Sequence, residues 1–270
     1  MLIQHIQQIS SELNLFHYNE IPVLELKHSL GEAKISLQGA QLLSWKPANE
    51  SQDVLWLSEI DPFQLGVAIR GGIPLCYPWF GGAKQPPHGT ARIALWQLTD
   101  YSIAQDKVRL EFSYFDQQQV LQAKVCMLFD DKCEVQFTHC TDEQVQLALH
   151  SYFSVGDIAQ VEVHPLPTVA FNAVSQQKEQ YPSPRKIDQH IDCIYALEQS
   201  QNLITDKSYQ RQIEIEHHNA TELVLWNPWH KEMSAMQPQD YKNMLCLETA
   251  RLSQLLNKGD MVSVVLKITK

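Results

Sequence analysis

His150 closes an apolar run, Val145 to Leu149, and Glu248 extends another, Met244 to Leu247. Imidazole and carboxylate are the side chains that most readily exchange a proton near neutral pH. Glu248 alternates in step with Met244 and Cys246, so a strand carries all three on one face. A carboxylate on a buried face is costly to desolvate unless it is paired or used. Arg70 precedes the pair Gly71-Gly72, and Arg92 ends the run Pro87-His88-Gly89-Thr90-Ala91-Arg92. Glycine lets a backbone pass close to a ligand, and guanidinium holds phosphate through paired hydrogen bonds. Two such arginines form a candidate anion clamp. Tyr77, Trp79 and Phe80 are candidates to wall a sugar-sized pocket. Residue type alone leaves plainer assignments open: a proline-rich connection with core aromatics, a surface salt bridge, a structural histidine, a solvent-facing glutamate. The histidine count decides nothing, since the chain has 11.

The elements that must hold these groups have a period of two. Val108, Leu110, Phe112 and Tyr114 alternate with Lys107, Arg109, Glu111 and Ser113. Val125, Met127 and Phe129 continue the pattern, then Val135 and Phe137 after the turn-like Asp130-Asp131-Lys132. Gln144 to Leu149, Ile213 with Ile215, and Val262, Val264 and Leu266 read the same way. Alternation of this kind predicts antiparallel sheet with one face buried. So many strands predict two packed sheets. Ile3, Ile6, Ile9 and Leu13 recur at roughly helical spacing and predict one N-terminal amphipathic helix. Gly81 to Gly89 and Gln176 to Lys186 read as loops, and neither reads as a linker between domains.

The chain has 270 residues, 44% hydrophobic and 19% charged, a core-forming composition that excludes a disordered chain. Lys plus Arg is 21 against 31 for Asp plus Glu, a formal charge of −10, so the overall field repels nucleic acid and anionic lipid. Any phosphate must be held by a few local arginines. No apolar run is long enough to span a bilayer, and Met1 to Glu20 does not read as a secretory signal. Cys76, Cys126, Cys133, Cys140, Cys193 and Cys246 form no CxxC pair, so free thiols in a reducing cytoplasm are expected.

Several segments fall in a fixed order between Arg70 and Ala250: RGGIPLCYPWFG, HGTAR followed by Trp96, HSYFSVGDI, Ile191-Asp192-Cys193-Ile194-Tyr195, Trp226-Asn227-Pro228-Trp229 and YKNMLCLETA. This ordered set resembles the aldose 1-epimerase superfamily and, within it, the hexose-6-phosphate 1-epimerases. The resemblance implies an all-β fold, a galactose-mutarotase-like β-sandwich (a supersandwich of antiparallel strands) with one or two short helices and a concave sugar site. Residues 1–270 are expected to form a single domain of this kind.

Carried over residue by residue, the resemblance makes His150 the catalytic acid and Glu248 the catalytic base. It makes Asp192 a contact to the sugar hydroxyls, and Arg70 and Arg92 the contacts to the sugar phosphate. His88 is a further ring or orientation contact. Where some members carry a ligand-contacting polar residue before the His-Gly pair, this chain has Pro87, which offers no side-chain hydrogen bond. The implied reaction interconverts the α and β anomers of a hexose 6-phosphate such as glucose 6-phosphate, with no metal or cofactor. The expected partner is a small-molecule sugar phosphate, with no nucleic acid and no membrane, and the expected form is a cytoplasmic monomer. Competing readings are a mutarotase for free aldoses, a glycoside hydrolase using Glu248 and Asp192, and a non-catalytic carbohydrate-binding protein.

Overall fold

The computed structural model describes residues 1–270 and consists almost wholly of antiparallel strands. They make three sheets, of five, nine and eight strands. The nine-stranded sheet holds most of the alternating runs read from sequence: Lys107–Phe115, Leu121–Phe129, Cys133–His139, Arg211–His218 and Met261–Thr269. In the first of these Val108, Leu110 and Phe112 are fully buried, while Lys107 is exposed and Arg109 and Glu111 are only partly covered. The turn at Asp130 closes where the Asp130 side chain accepts from the Lys132 N–H at 2.9 Å.

The eight-stranded sheet positions the candidate residues. Ile191–Ala196, Glu222–Asn227, Met244–Leu256, Val145–Leu149 and Leu75–Cys76 lie side by side in it, and Tyr152–Ser154 pairs with Met244–Leu256. Its odd-numbered residues Leu147, Leu149, Cys193, Leu223, Leu225, Leu245 and Leu247 enter a core of 51 buried residues shared with the nine-stranded sheet. Burying a Leu, Ile or Val side chain is worth about 1.5–3 kcal/mol, so this alternation sets which face turns outward. Cys76, Ala148, Val224 and Ala250 pack together on the other face. Their small side chains leave a shallow floor.

The five-stranded sheet differs from the two-sheet expectation. It comprises Ile3–Gln8, Leu13–Tyr18, Ile21–His28, Gly31–Ser36 and Gln41–Pro47, and its Leu13, Leu24, Leu26, Ile35 and Leu42 join the same core. The N-terminal helix is likewise corrected: Ile3–Gln8 is an exposed strand paired to Leu13–Tyr18, with its register shifting between His5 and Gln7. The near-helical spacing of the isoleucines arises from a bulged hairpin turning at Ser10-Ser11-Glu12, and β-branched residues favour strand. Helical structure is limited to short 3₁₀ turns at Ala91–Ile93, Ile158–Gln160 and Asp240–Asn243. Within the predicted loop Gln176 to Lys186, Gln177–Gln180 and Arg185–Lys186 are strands. No helix is long and apolar enough to cross a membrane.

Candidate active site

Antiparallel register brings His150 and Glu248 together. Ala148 pairs with Ala250, Leu149 with Thr249, and beyond them Tyr152 pairs with Cys246. The same register sets His150 opposite Glu248, and His150 Nε2 lies 3.4 Å from Glu248 Oε1. Next to Glu248 on the other side is Val224, and next to Cys246 is Trp226, which pairs in turn with Asp192. Asp192, Trp226, Cys246 and Tyr152 therefore form one row across this face, with Glu248 and His150 in the row beside it.

Both members of the pair are buried, His150 to 8% and Glu248 to 1% exposure. His150 Nδ1 and Glu248 Oε2 have no hydrogen-bond partner. Buried polar groups are normally satisfied, so an unpartnered atom on each of two adjoining titratable side chains sets this contact apart. Burial pushes His150 well below its usual 6.5, reinforced by His88, Arg92 and Arg70. Burial pushes Glu248 well above 4.5, Asp192 adds to the rise, and Arg92 opposes it. The free site thus favours neutral imidazole beside carboxylic acid, rather than the ionised glutamate and half-protonated histidine expected from unperturbed values.

The remaining candidates surround this pair. His88 sits 5.9 Å from the His150 ring, edge-on to it. Its ring also meets Phe80 at 5.0 Å, and burial with the Arg92 and Arg70 charges lowers its pKa to about 4. Arg92 lies on the Ala91–Ile93 turn, where Nη2 donates to the Pro87 carbonyl at 2.7 Å and Nε is buried without a partner. Pro87 thus contributes through its backbone. Arg70 donates to the Tyr152 hydroxyl at 3.0 Å. Burial lowers its pKa, but Tyr152, Cys246 and Asp61 outweigh that and raise it, so its charge is secure. Asp192 is half-buried and raised by burial, with His190 and Lys231 pulling it back. All six sequence-predicted residues serve one face of the sheet.

Several expectations shift in detail. The glycines of the two arginine segments approach backbone, not an open ligand space. Gly72 has φ +63° and an added Cβ would stand 2.2 Å from the Leu42 carbonyl. Gly89 has φ +80° and its Cβ would stand 2.0 Å from the Tyr77 carbonyl. Tyr77 is a core residue bonded to His139 at 2.9 Å, and the Trp79 indole donates to the Pro86 carbonyl at 2.9 Å. Phe80 alone of the three expected wall aromatics meets a candidate, His88, and the aromatics around His150 are Tyr152, stacked on it at 4.7 Å, with Trp226 at 6.1 Å and Trp56 at 5.9 Å from the Tyr152 ring. Tyr152 was open to sequence reasoning, since period two places it on the face of His150. Trp56 carried no such signal.

No three His, Cys, Asp or Glu side chains group closely enough to hold a metal ion. A cavity of about 560 Å³ lies within the Pro228–Lys242 region, lined by Trp229, His230, Lys231, Tyr241 and others, and contains none of the six candidates.

A sheet face that sets a buried imidazole against a buried carboxyl group, with arginines beside them, carries groups suited to proton transfer on a small polar ligand. The aldose 1-epimerase family model matches residues 22–269, and the chain belongs to that family. A curated Haemophilus influenzae relative named "Putative glucose-6-phosphate 1-epimerase" is 52% identical over 264 residues, 97% of each chain. An Escherichia coli relative with the same name is 35% identical, covering 92% of this chain and 90% of its own. The crystal structure of HI1317 superposes with a TM-score of 0.99 at 56% identity over 100% of both chains. That of a "putative mutarotase" (YeaD) from Salmonella typhimurium gives 0.94 at 30% identity, covering 99% of this chain and 97% of that one.

Proposed function

We propose that this enzyme interconverts the α and β anomers of glucose 6-phosphate, with His150 and Glu248 as its proton-transfer pair. The observation that carries the reading is the 3.4 Å contact between two buried titratable groups, each with an unused polar atom. Glu248 takes the proton from the C1 hydroxyl as His150 gives one to the ring oxygen. The bond between C1 and the ring oxygen breaks and its electron pair stays on that oxygen, leaving a C1 aldehyde. Rotation about C1–C2 presents the other carbonyl face, and closure with the roles reversed gives the other anomer.

One shared proton serves the whole cycle. Burial favours that proton on Glu248 in the free site, and transfer to His150 Nε2 yields the carboxylate and imidazolium that ring opening uses. Asp192 accepts hydrogen bonds from ring hydroxyls and His88 orients the ring. Arg70 and Arg92 separate a phosphate ester from a free sugar, since each charge-assisted bond contributes about 1.5–3 kcal/mol. The names of the relatives support glucose 6-phosphate as the hexose.

The test follows freshly dissolved α-glucose 6-phosphate to anomeric equilibrium by NMR exchange, with α-galactose as the control. Rapid exchange of the phosphate ester, lost in His150→Asn and Glu248→Gln, is the expected result. Faster exchange of galactose reassigns the enzyme to free aldoses. Acceleration of neither sugar removes the catalytic reading.

A further inference from the structure

Arg70 is braced by a residue that neither the sequence motifs nor the proton-transfer pair calls for. Its Nε donates to the Ser234 carbonyl at 3.2 Å and its Nη2 to the Ser234 hydroxyl at 3.2 Å. These two donors form the side-on edge of the guanidinium. Its Nη1 donates to the Tyr152 hydroxyl at 3.0 Å. One N–H therefore remains free on each terminal nitrogen. A pair of that kind grips two oxygens of one phosphate.

The loop that carries Ser234 is anchored at both ends. It joins the strands Glu222–Asn227 and Met244–Leu256. Asn227, with 0% exposure, donates to the carbonyls of Tyr241 and Met244, each at 2.9 Å. Its side-chain oxygen accepts from the Trp229 N–H at 2.8 Å. One buried amide thus secures both ends of the loop against the strand that carries Glu248. On its other side, Arg70 reaches His150 through the Tyr152 ring, stacked within 8° of parallel.

We propose that Ser234 is a positioning residue for phosphate recognition, turning the Arg70 plane so that its free terminal N–H pair meets the sugar phosphate. The inference rests on glucose 6-phosphate being the substrate. Without the Ser234 hydroxyl, Arg70 keeps its charge but loses one of the bonds that define its plane. A long side chain then recovers rotamers it must surrender again on binding. The loss therefore falls on the phosphorylated sugar and appears in KM.

The experiment compares kcat and KM for α-glucose 6-phosphate and α-glucose in wild type, Ser234→Ala and Ser234→Thr. We expect the preference for the phosphate ester in Ser234→Ala to fall about fivefold to tenfold, the worth of roughly one hydrogen bond, through KM. Ser234→Thr keeps a hydroxyl and restores the preference. An unchanged preference in Ser234→Ala, or equal losses with both sugars, overturns the proposal. A wild type that does not prefer the phosphate ester overturns the substrate reading together with it, whereas a wild-type preference that survives in Ser234→Ala removes Ser234 alone.

Discussion

His139 ends the strand Cys133–His139 and His150 follows the strand Val145–Leu149, and both are buried at 0% and 8% exposure. Their surroundings differ in what is left to bond. His139 meets the Tyr77 hydroxyl through Nδ1 at 2.9 Å and the Glu143 carbonyl through Nε2 at 2.7 Å. Both of its ring nitrogens are in use. His150 has no partner at Nδ1, and its Nε2 meets Glu248 at 3.4 Å, longer than a good hydrogen bond. Burial alone does not separate a structural histidine from a reactive one. An unused nitrogen together with a 3.4 Å contact to a buried carboxyl group is what singles out His150 for the proposed role.

The most severe way to break this contrast is to remove each imidazole. His150→Asn and Glu248→Gln should each slow anomer exchange by about 10²–10⁴-fold, the usual worth of a positioned acid or base. His139→Gln should leave kcat per folded molecule within a small factor. Comparable losses at both histidines would collapse the distinction. The arginines offer the next largest effect. In Arg70→Ala with Arg92→Ala, KM for glucose 6-phosphate should rise by about 10²-fold or more, from about 1.5–3 kcal/mol per charged contact, with a far smaller fall in kcat. An unchanged KM would separate the clamp from the phosphate.

His139 should register in stability. Removing its ring leaves the Tyr77 hydroxyl and Glu143 carbonyl short of partners, at a cost of about 1–3 kcal/mol in urea unfolding. A stability equal to wild type would show that other groups fill in. The smallest effect is a pH shift. The pair takes a second proton only below the lowered pKa of His150, and loses its shared proton only above the raised pKa of Glu248. The acid limb of kcat should therefore lie below 6.5. Asp192 helps to hold Glu248 up, so Asp192→Asn should move the alkaline limb to lower pH. A limb that stays in place or moves higher would mean the two carboxyl groups do not communicate.

Much of this site could be read before the fold was seen, because two periodicities agreed. Alternation identified the sheet strands, and the same alternation set Glu248 with Met244 and Cys246. Ordered motifs then joined Arg70, Arg92, His150, Asp192 and Glu248 across most of the chain. What escaped was structure made by contacts between distant residues of ordinary type. Arg70, Tyr152 and Ser234 are linked by hydrogen bonds over long stretches of chain, and nothing in their local sequence marks the link. The N-terminal hairpin escaped for the opposite reason: four local apolar residues imitate a helix when a bulge shifts the register of a strand. The opposed pKa shifts of the pair also lay beyond composition, since they follow from burial that only packing determines.

The Asn227 amide has a consequence for how such an enzyme diversifies. Because it fastens both ends of the segment that follows, exposed residues between those ends, such as Lys231 and Glu232, can be exchanged without disturbing the strands beneath. Lengthening such a closed segment is cheap, about 0.6 kcal/mol for each doubling. The segment that braces Arg70 through Ser234 is thus separable from the sheet that carries the proposed proton-transfer pair. A lineage can alter how that arginine is held by rewriting a surface cassette, while the sheet beneath is inherited intact.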